Sequence, residues 1–179
     1  VVAVVSSSKL DRDGEIVDVQ SLRLPLKSGG YVVAGALTGT EKINIPMLLN
    51  HSFDVEDVIG SVRKAYIVDG ELVVEFGISS RAKAKDLLTL LDEGHLDNAF
   101  SITMMDYEYD SITRTIYDAE VAEISLVFRG SNKDARLLAV KSLISKGDSM
   151  AKTTIEDAQA EIERLQKVIA DAEVVTTEV

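Results

Sequence analysis

At 179 residues with a formal net charge of −11, the chain is long enough for one ordinary domain and an appendage, and too short for two catalytic domains. The excess of acid, with no basic stripe, argues against a phosphate-binding nucleic-acid surface; zero cysteines exclude a thiol nucleophile, a disulfide framework and a thiolate metal site. Aromatic residues are only 5% of the chain, so Val, Ile and Leu must build the core, and no apolar run nears the roughly 18 residues that span a bilayer.

In chain order, Val1 to Val19 reads as two β-branched runs around Lys9-Leu10-Asp11-Arg12-Asp13-Gly14, a hairpin turned by Asp-Gly. The opening valines lack the length and charged flank of a signal peptide. Gln20 to Ile45 holds Pro25 and Gly29, Gly30, Gly35 and Gly39; its weak periodicity reads in part as a mobile insertion. Met47-Leu48-Leu49-Asn50-His51 is a short apolar run, followed by an acidic loop with Asp54, Glu56 and Asp57. Val58 to Ile67 and Glu71 to Ile78 then form a hairpin about Asp69-Gly70. Ser79 and Ser80 are placed to cap a helix that runs to about Glu93 and closes at Gly94.

Phe100 to Tyr109, Thr113 to Tyr117 and Glu120 to Val127 read as an antiparallel meander. A second helix is expected from Asn132 through Leu137, Leu138, Val140, Leu143 and Ile144 to Gly147. The domain is placed at 1–147 and a polar linker at 148–154. Over 155–179, Ile155, Ile162 and Ile169 recur seven apart with Ala158, Leu165 and Ala172 three residues after each, the seam of a heptad helix suited to docking or self-association.

Hydroxyl nucleophiles need a base, and the chain offers His51 and His95. His51 ends an apolar strand at a loop-lined surface, where a rigid element presents a polar side chain. His95 follows Gly94 at a helix end, where a cation meets the negative end of the dipole. Ser101 enters a β-run after Ala99-Phe100, a position that suits a nucleophile or a pairing serine equally. A calcium loop at Asp11 lacks its later ligands, and no phosphate loop, zinc signature or Gly-x-Ser-x-Gly elbow is present.

The ordered set Asn50-His51, Ile59-Gly60, Leu87 to Gly94, Phe100-Ser101-Ile102 and Glu123-Ile124-Ser125-Leu126-Val127, with Asp11-Arg12-Asp13-Gly14-Glu15-Ile16-Val17 ahead of it, resembles the tailed-phage prohead serine proteases over Lys9 to Leu138. The resemblance implies an α+β fold similar to the herpesvirus assembly proteases, a partly open antiparallel β-barrel surrounded by helices. It implies a serine endopeptidase without cofactor or metal, with His51 as base and Ser101 as nucleophile. Herpesvirus-type enzymes take a second histidine as third member; here Glu123, 22 positions after Ser101 (123 − 101), stands in its place or is a strand-edge glutamate. Arg129-Gly130 is the candidate oxyanion hole. The implied partners are the capsid protein precursor and its scaffold segment, cut together with the enzyme itself inside the prohead in the host cytoplasm, with no nucleic acid or membrane. Two departures stand out: Thr103-Met104 replaces a glycine and an aromatic, and Gly130-Ser131-Asn132 replaces a Pro-Ala-Asn turn. The rival readings are a catalytically silent scaffold-binding module of the same fold and an esterase-type hydrolase.

Overall fold

The computed structural model describes residues 1–95 and 99–139. In chain order the strands are β1 (Val2–Ser7), β2 (Ile16–Val17), β3 (Arg23–Pro25), β4 (Tyr31–Val33), β5 (Pro46–Leu49), β6 (Val58–Val68) and β7 (Glu71–Ile78). Helix α1 (Ala82–Asp92) follows, then β8 (Ala99–Met105), β9 (Glu108–Asp110), β10 (Thr115–Tyr117), β11 (Glu120–Val127) and β12 (Arg136–Ala139).

Among the described residues nine strands form one sheet in the order β12-β1-β7-β6-β5-β11-β3-β4, with β8 paired to β11 as well. Antiparallel and parallel ladders are mixed, since β11 runs parallel to β5 and β3. The sheet curls so that β8 comes back against β1 and β12; among the described residues no ladder joins β8 to either, so the barrel stays partly open. Alternation decides what faces inward. Leu72, Val74 and Phe76 of β7 enter the main core with Val62, Met47, Ile124, Leu126 and Phe100, while Val73 turns to a second cluster with Val4 and Val68. The Phe76 and Phe100 rings stack across the interior with centroids 6.0 Å apart.

The β6–β7 hairpin is as expected, closed by two successive left-handed residues, Asp69 (φ 49°) and Gly70 (φ 76°), which match the twist of the flanking strands. Helix α1 ends as expected at Gly94 (φ 73°): Gly94 N–H donates to Leu91 C=O at 3.1 Å and His95 N–H to Leu90 C=O at 2.9 Å, the paired bonds of a glycine C-cap. Its N-cap is Arg81, with no side-chain cap bond, one residue beyond the two serines. Among the described residues α1 is the one α-helix, so the ring of helices is not seen there.

Four expectations are corrected. β1 and β2 are not a hairpin: β1 lies between β7 and β12, whereas β2 joins β10 and β9 in a separate three-stranded sheet. Residues 100–127 are not a meander, because β8 pairs directly with β11 and the β9–β10 hairpin projects from between them. Residues 20–45 are no mobile insertion, since Leu22, Leu24, Ile43 and Ile45 are all core residues at no more than 1% exposure. The second helix is contradicted at its start, where Arg136–Ala139 is a strand on β1. Leu137 packs on the main core and Leu138 on the second cluster, both partly buried; an edge strand with apolar packing on both faces carries the consecutive apolar residues that imitate helical spacing. The remainder of that segment, the 147 boundary, the 148–154 linker and the 155–179 heptad helix lie outside the described residues.

Candidate active site

β11 is the spine of the site, because it holds β5 on one side and β8 on the other. Val121, Ile124 and Leu126 point into the core, which sends Glu123 and Ser125 to the opposite face of the strand. In register, Ser125 stands opposite Leu48 of β5 and Ser101 of β8, and Glu123 stands opposite Thr103. Strand pairing therefore places Ser101, Thr103, Glu123 and Ser125 in one patch.

His51 reaches this patch through a turn. Asn50 and His51 both adopt left-handed backbone, φ 52° and 56°, a conformation in which Asn and His are enriched among non-glycine residues. The turn is held at both ends: Ser52 N–H donates to Leu49 C=O at 3.1 Å, and Asn50 N–H to Leu126 C=O at 2.9 Å. His51 N–H donates to Ser125 Oγ at 3.0 Å. Helix α1 secures the acidic loop that follows. Arg81 donates to the Val55 carbonyl at 3.1 Å, and Lys83 pairs with Asp57, whose carboxyl that bond holds below the usual carboxylate range.

Glu123 is fully buried and well supplied with donors. His51 Nδ1 lies 2.6 Å from Oε1, Thr103 Oγ1 donates to the same oxygen, and Ser125 Oγ donates to Oε2 at 2.6 Å. The roles in the His51–Glu123 pair depend on the tautomer; since an ionised carboxylate only accepts, an ionised Glu123 selects the form with hydrogen on Nδ1 and leaves Nε2 as the ring's acceptor. The His51 side chain keeps 38% exposure beside a wholly buried carboxylate, an oriented imidazole with its far edge toward solvent. A buried charge is tolerated only when paired and hydrogen-bonded, which is the condition Glu123 meets.

The structure thus brings His51 and Glu123 into contact. It places Ser101 on the neighbouring strand of the same patch; among the described residues Ser101 has no side-chain hydrogen bond, to His51 or any other group. Arg129 is exposed and Gly130 buried, and a Cβ at Gly130 would run into the carbonyl oxygen of Phe100. The turn at 129–130 is therefore packed on the peptide that leads into Ser101. Arg12 donates its guanidinium to the Gly130 carbonyl and its N–H to Ser131 C=O at 3.0 Å, tying the Asp11–Gly14 loop to that turn. His95 does no work here, its ring lying 3.4 Å from exposed Glu93.

Two residues of the network, Thr103 and Ser125, escaped the sequence reading as participants. The signal was there: each lies two positions along a strand from a candidate, Ser101 or Glu123, and so shares its face.

The model of the family described as caudovirus prohead serine protease matches residues 16–152. The chain belongs to that family. Among solved structures, the protease of Kaposi's sarcoma-associated herpesvirus, determined with an allosteric inhibitor, aligns over 89% of each chain at 14% identity and a TM-score of 0.41. No curated protein matches. Family membership supports a prohead protease in general and assigns no role to individual residues. Among the described residues no cluster of metal-ligating side chains is present, and no helix is long and apolar enough to cross a membrane.

Proposed function

We propose that the protein is a serine endopeptidase of capsid maturation that cleaves the capsid protein precursor, its scaffold segment and itself through an acyl-enzyme. The observation that carries this reading is His51 Nδ1 held at 2.6 Å by buried Glu123, in the patch to which Ser101 belongs. Substrate brings the scissile carbonyl over Ser101. Oγ attacks the carbonyl carbon as His51 Nε2 takes its proton, and Glu123 stabilises the imidazolium that forms. Backbone N–H groups of the Arg129-Gly130 turn, packed against the Phe100-Ser101 peptide, face the developing oxyanion. The tetrahedral species collapses as His51 returns the proton to the leaving amine. Water, deprotonated by the same nitrogen, then releases the acyl group and restores Ser101.

The lack of a Ser101–His51 hydrogen bond among the described residues is the one observation on the side of the alternative, a catalytically silent scaffold-binding module. Catalytic hydrogen bonds commonly tighten only when substrate is bound, so the resting arrangement suits either reading. Purified protein is incubated with capsid precursor, wild type against Ser101→Ala, and with a fluorophosphonate that labels activated serines. Cleavage and labelling lost together in the variant support the protease; equal cleavage by both proteins rejects it.

A further inference from the structure

On the outer surface of the curled sheet lies a groove of about 810 Å³. Its floor includes Gly60 and Gly77, and three cations, Lys27, Arg63 and Arg81, line it. In a chain of net charge −11, no Asp or Glu lines this groove among the described residues. Lys27 and Arg63 are exposed and form no side-chain hydrogen bond or ion pair among the described residues. Arg81 donates to the Val55 carbonyl and shares the neighbourhood of the Asp57 carboxylate, on which its charge acts, so Lys27 and Arg63 are the two cations of the groove with no counter-charge among the described residues. Gly77 has a specific part, since a Cβ there would occupy the place of the Arg63 guanidinium; the missing side chain lets that cation lie across the sheet.

The groove adjoins the site. The segment that leaves His51 supplies Val55 and Val58 to the groove wall. Val58 is in register with Leu48, Leu48 with Ser125, and Ser125 with Ser101. Three strand spacings of about 4.8 Å put the groove edge about 14 Å from Ser101 along the sheet, the reach of about four residues of extended peptide. A cationic groove at that distance from a nucleophile recognises charge on the chain being cut, and its two unpaired cations, Lys27 and Arg63, favour carboxylates.

We infer that the groove lined by Lys27, Arg63 and Arg81 is a substrate subsite that takes an acidic peptide segment about four residues from the scissile bond. The inference rests on the protease reading and adds a substrate class to it.

The probe is a short fluorescein-labelled oligoglutamate, with an oligolysine as control, titrated at low salt into full-length Ser101→Ala protein. The same titration is made with Lys27→Glu and Arg63→Glu added, two exposed positions whose reversal breaks no hydrogen bond or ion pair among the described residues. The expected result is oligoglutamate binding that weakens about tenfold in the double reversal and with added salt, and no oligolysine binding. With Ser101 intact, the double reversal raises KM for capsid precursor and leaves fluorophosphonate labelling of Ser101 unchanged. Absent oligoglutamate binding, equal binding before and after charge reversal, or oligolysine bound as tightly overturns the subsite. A wild-type protein that fails to label at Ser101 rejects the protease reading instead, since peptide binding is measured independently of catalysis.

Discussion

Glu123 has no exposure to water, and its hydrogen bonds to His51, Thr103 and Ser125 replace the hydration it gave up. Glu123→Gln keeps the shape but substitutes an amide that can donate, so the tautomer with hydrogen on Nε2 becomes available and that nitrogen stops accepting. A fall in kcat of about 10⁴ is expected if Glu123 orients the base. Steady-state rates on capsid precursor measure it, and an unchanged kcat would return Glu123 to a structural role. Thr103→Val removes one donor from the same oxygen while the volume stays similar. It should cost about 1–3 kcal/mol of stability, the range for leaving a buried acceptor short of a partner, read from denaturant unfolding.

Elements far apart in the chain are coupled at the 129–135 turn. Arg12 anchors the Gly130 carbonyl, and Asp134 receives Ser7 Oγ at 2.8 Å from β1 and Lys9 at 3.1 Å. Arg12→Ala should lower kcat more than it raises KM if this turn supplies the oxyanion donors, while thermal stability changes little. The Asp134 carboxyl is held below the usual carboxylate range, first by the Ser7 hydroxyl and then by Lys9, against the opposing effect of partial burial. A carboxylate depressed in the native state adds stability that is present above the unfolded range and lost as pH falls through the native value. Asp134→Asn should therefore melt lower than wild type at neutral pH, with the gap closing on the acid side; a gap that is constant with pH would contradict this. The sequence showed the turn itself at Arg129 to Asn132 but not what holds it, because its partners at Ser7 and Arg12 lie more than a hundred residues earlier in the chain.

At the scale of the whole molecule, the curled sheet carries Ser101 on a strand whose next residue back, Phe100, is fully buried and stacks on Phe76 from β7. Core packing and site geometry thus share one strand. Phe100→Ala should destabilise the protein by about 3–5 kcal/mol and impair Ser101 as well; thermal melts and fluorophosphonate labelling would separate the two effects. What the residues determined unaided was local and periodic. The alternation of Val58 to Ile78 with its Asp-Gly turn and the helix ending at Gly94 are each read within a few positions, where backbone sterics and side-chain direction act. Only the tertiary structure decided which strands meet. It set β1 between β7 and β12, made Arg136–Ala139 an edge strand instead of a helix, and drew residues 20–45 into the core. Pairing between distant segments leaves no local periodic signature. For the same reason His51, Thr103, Glu123 and Ser125, from three separate strands or their ends, became one network only when parallel and antiparallel ladders brought β5 and β8 to the two sides of β11.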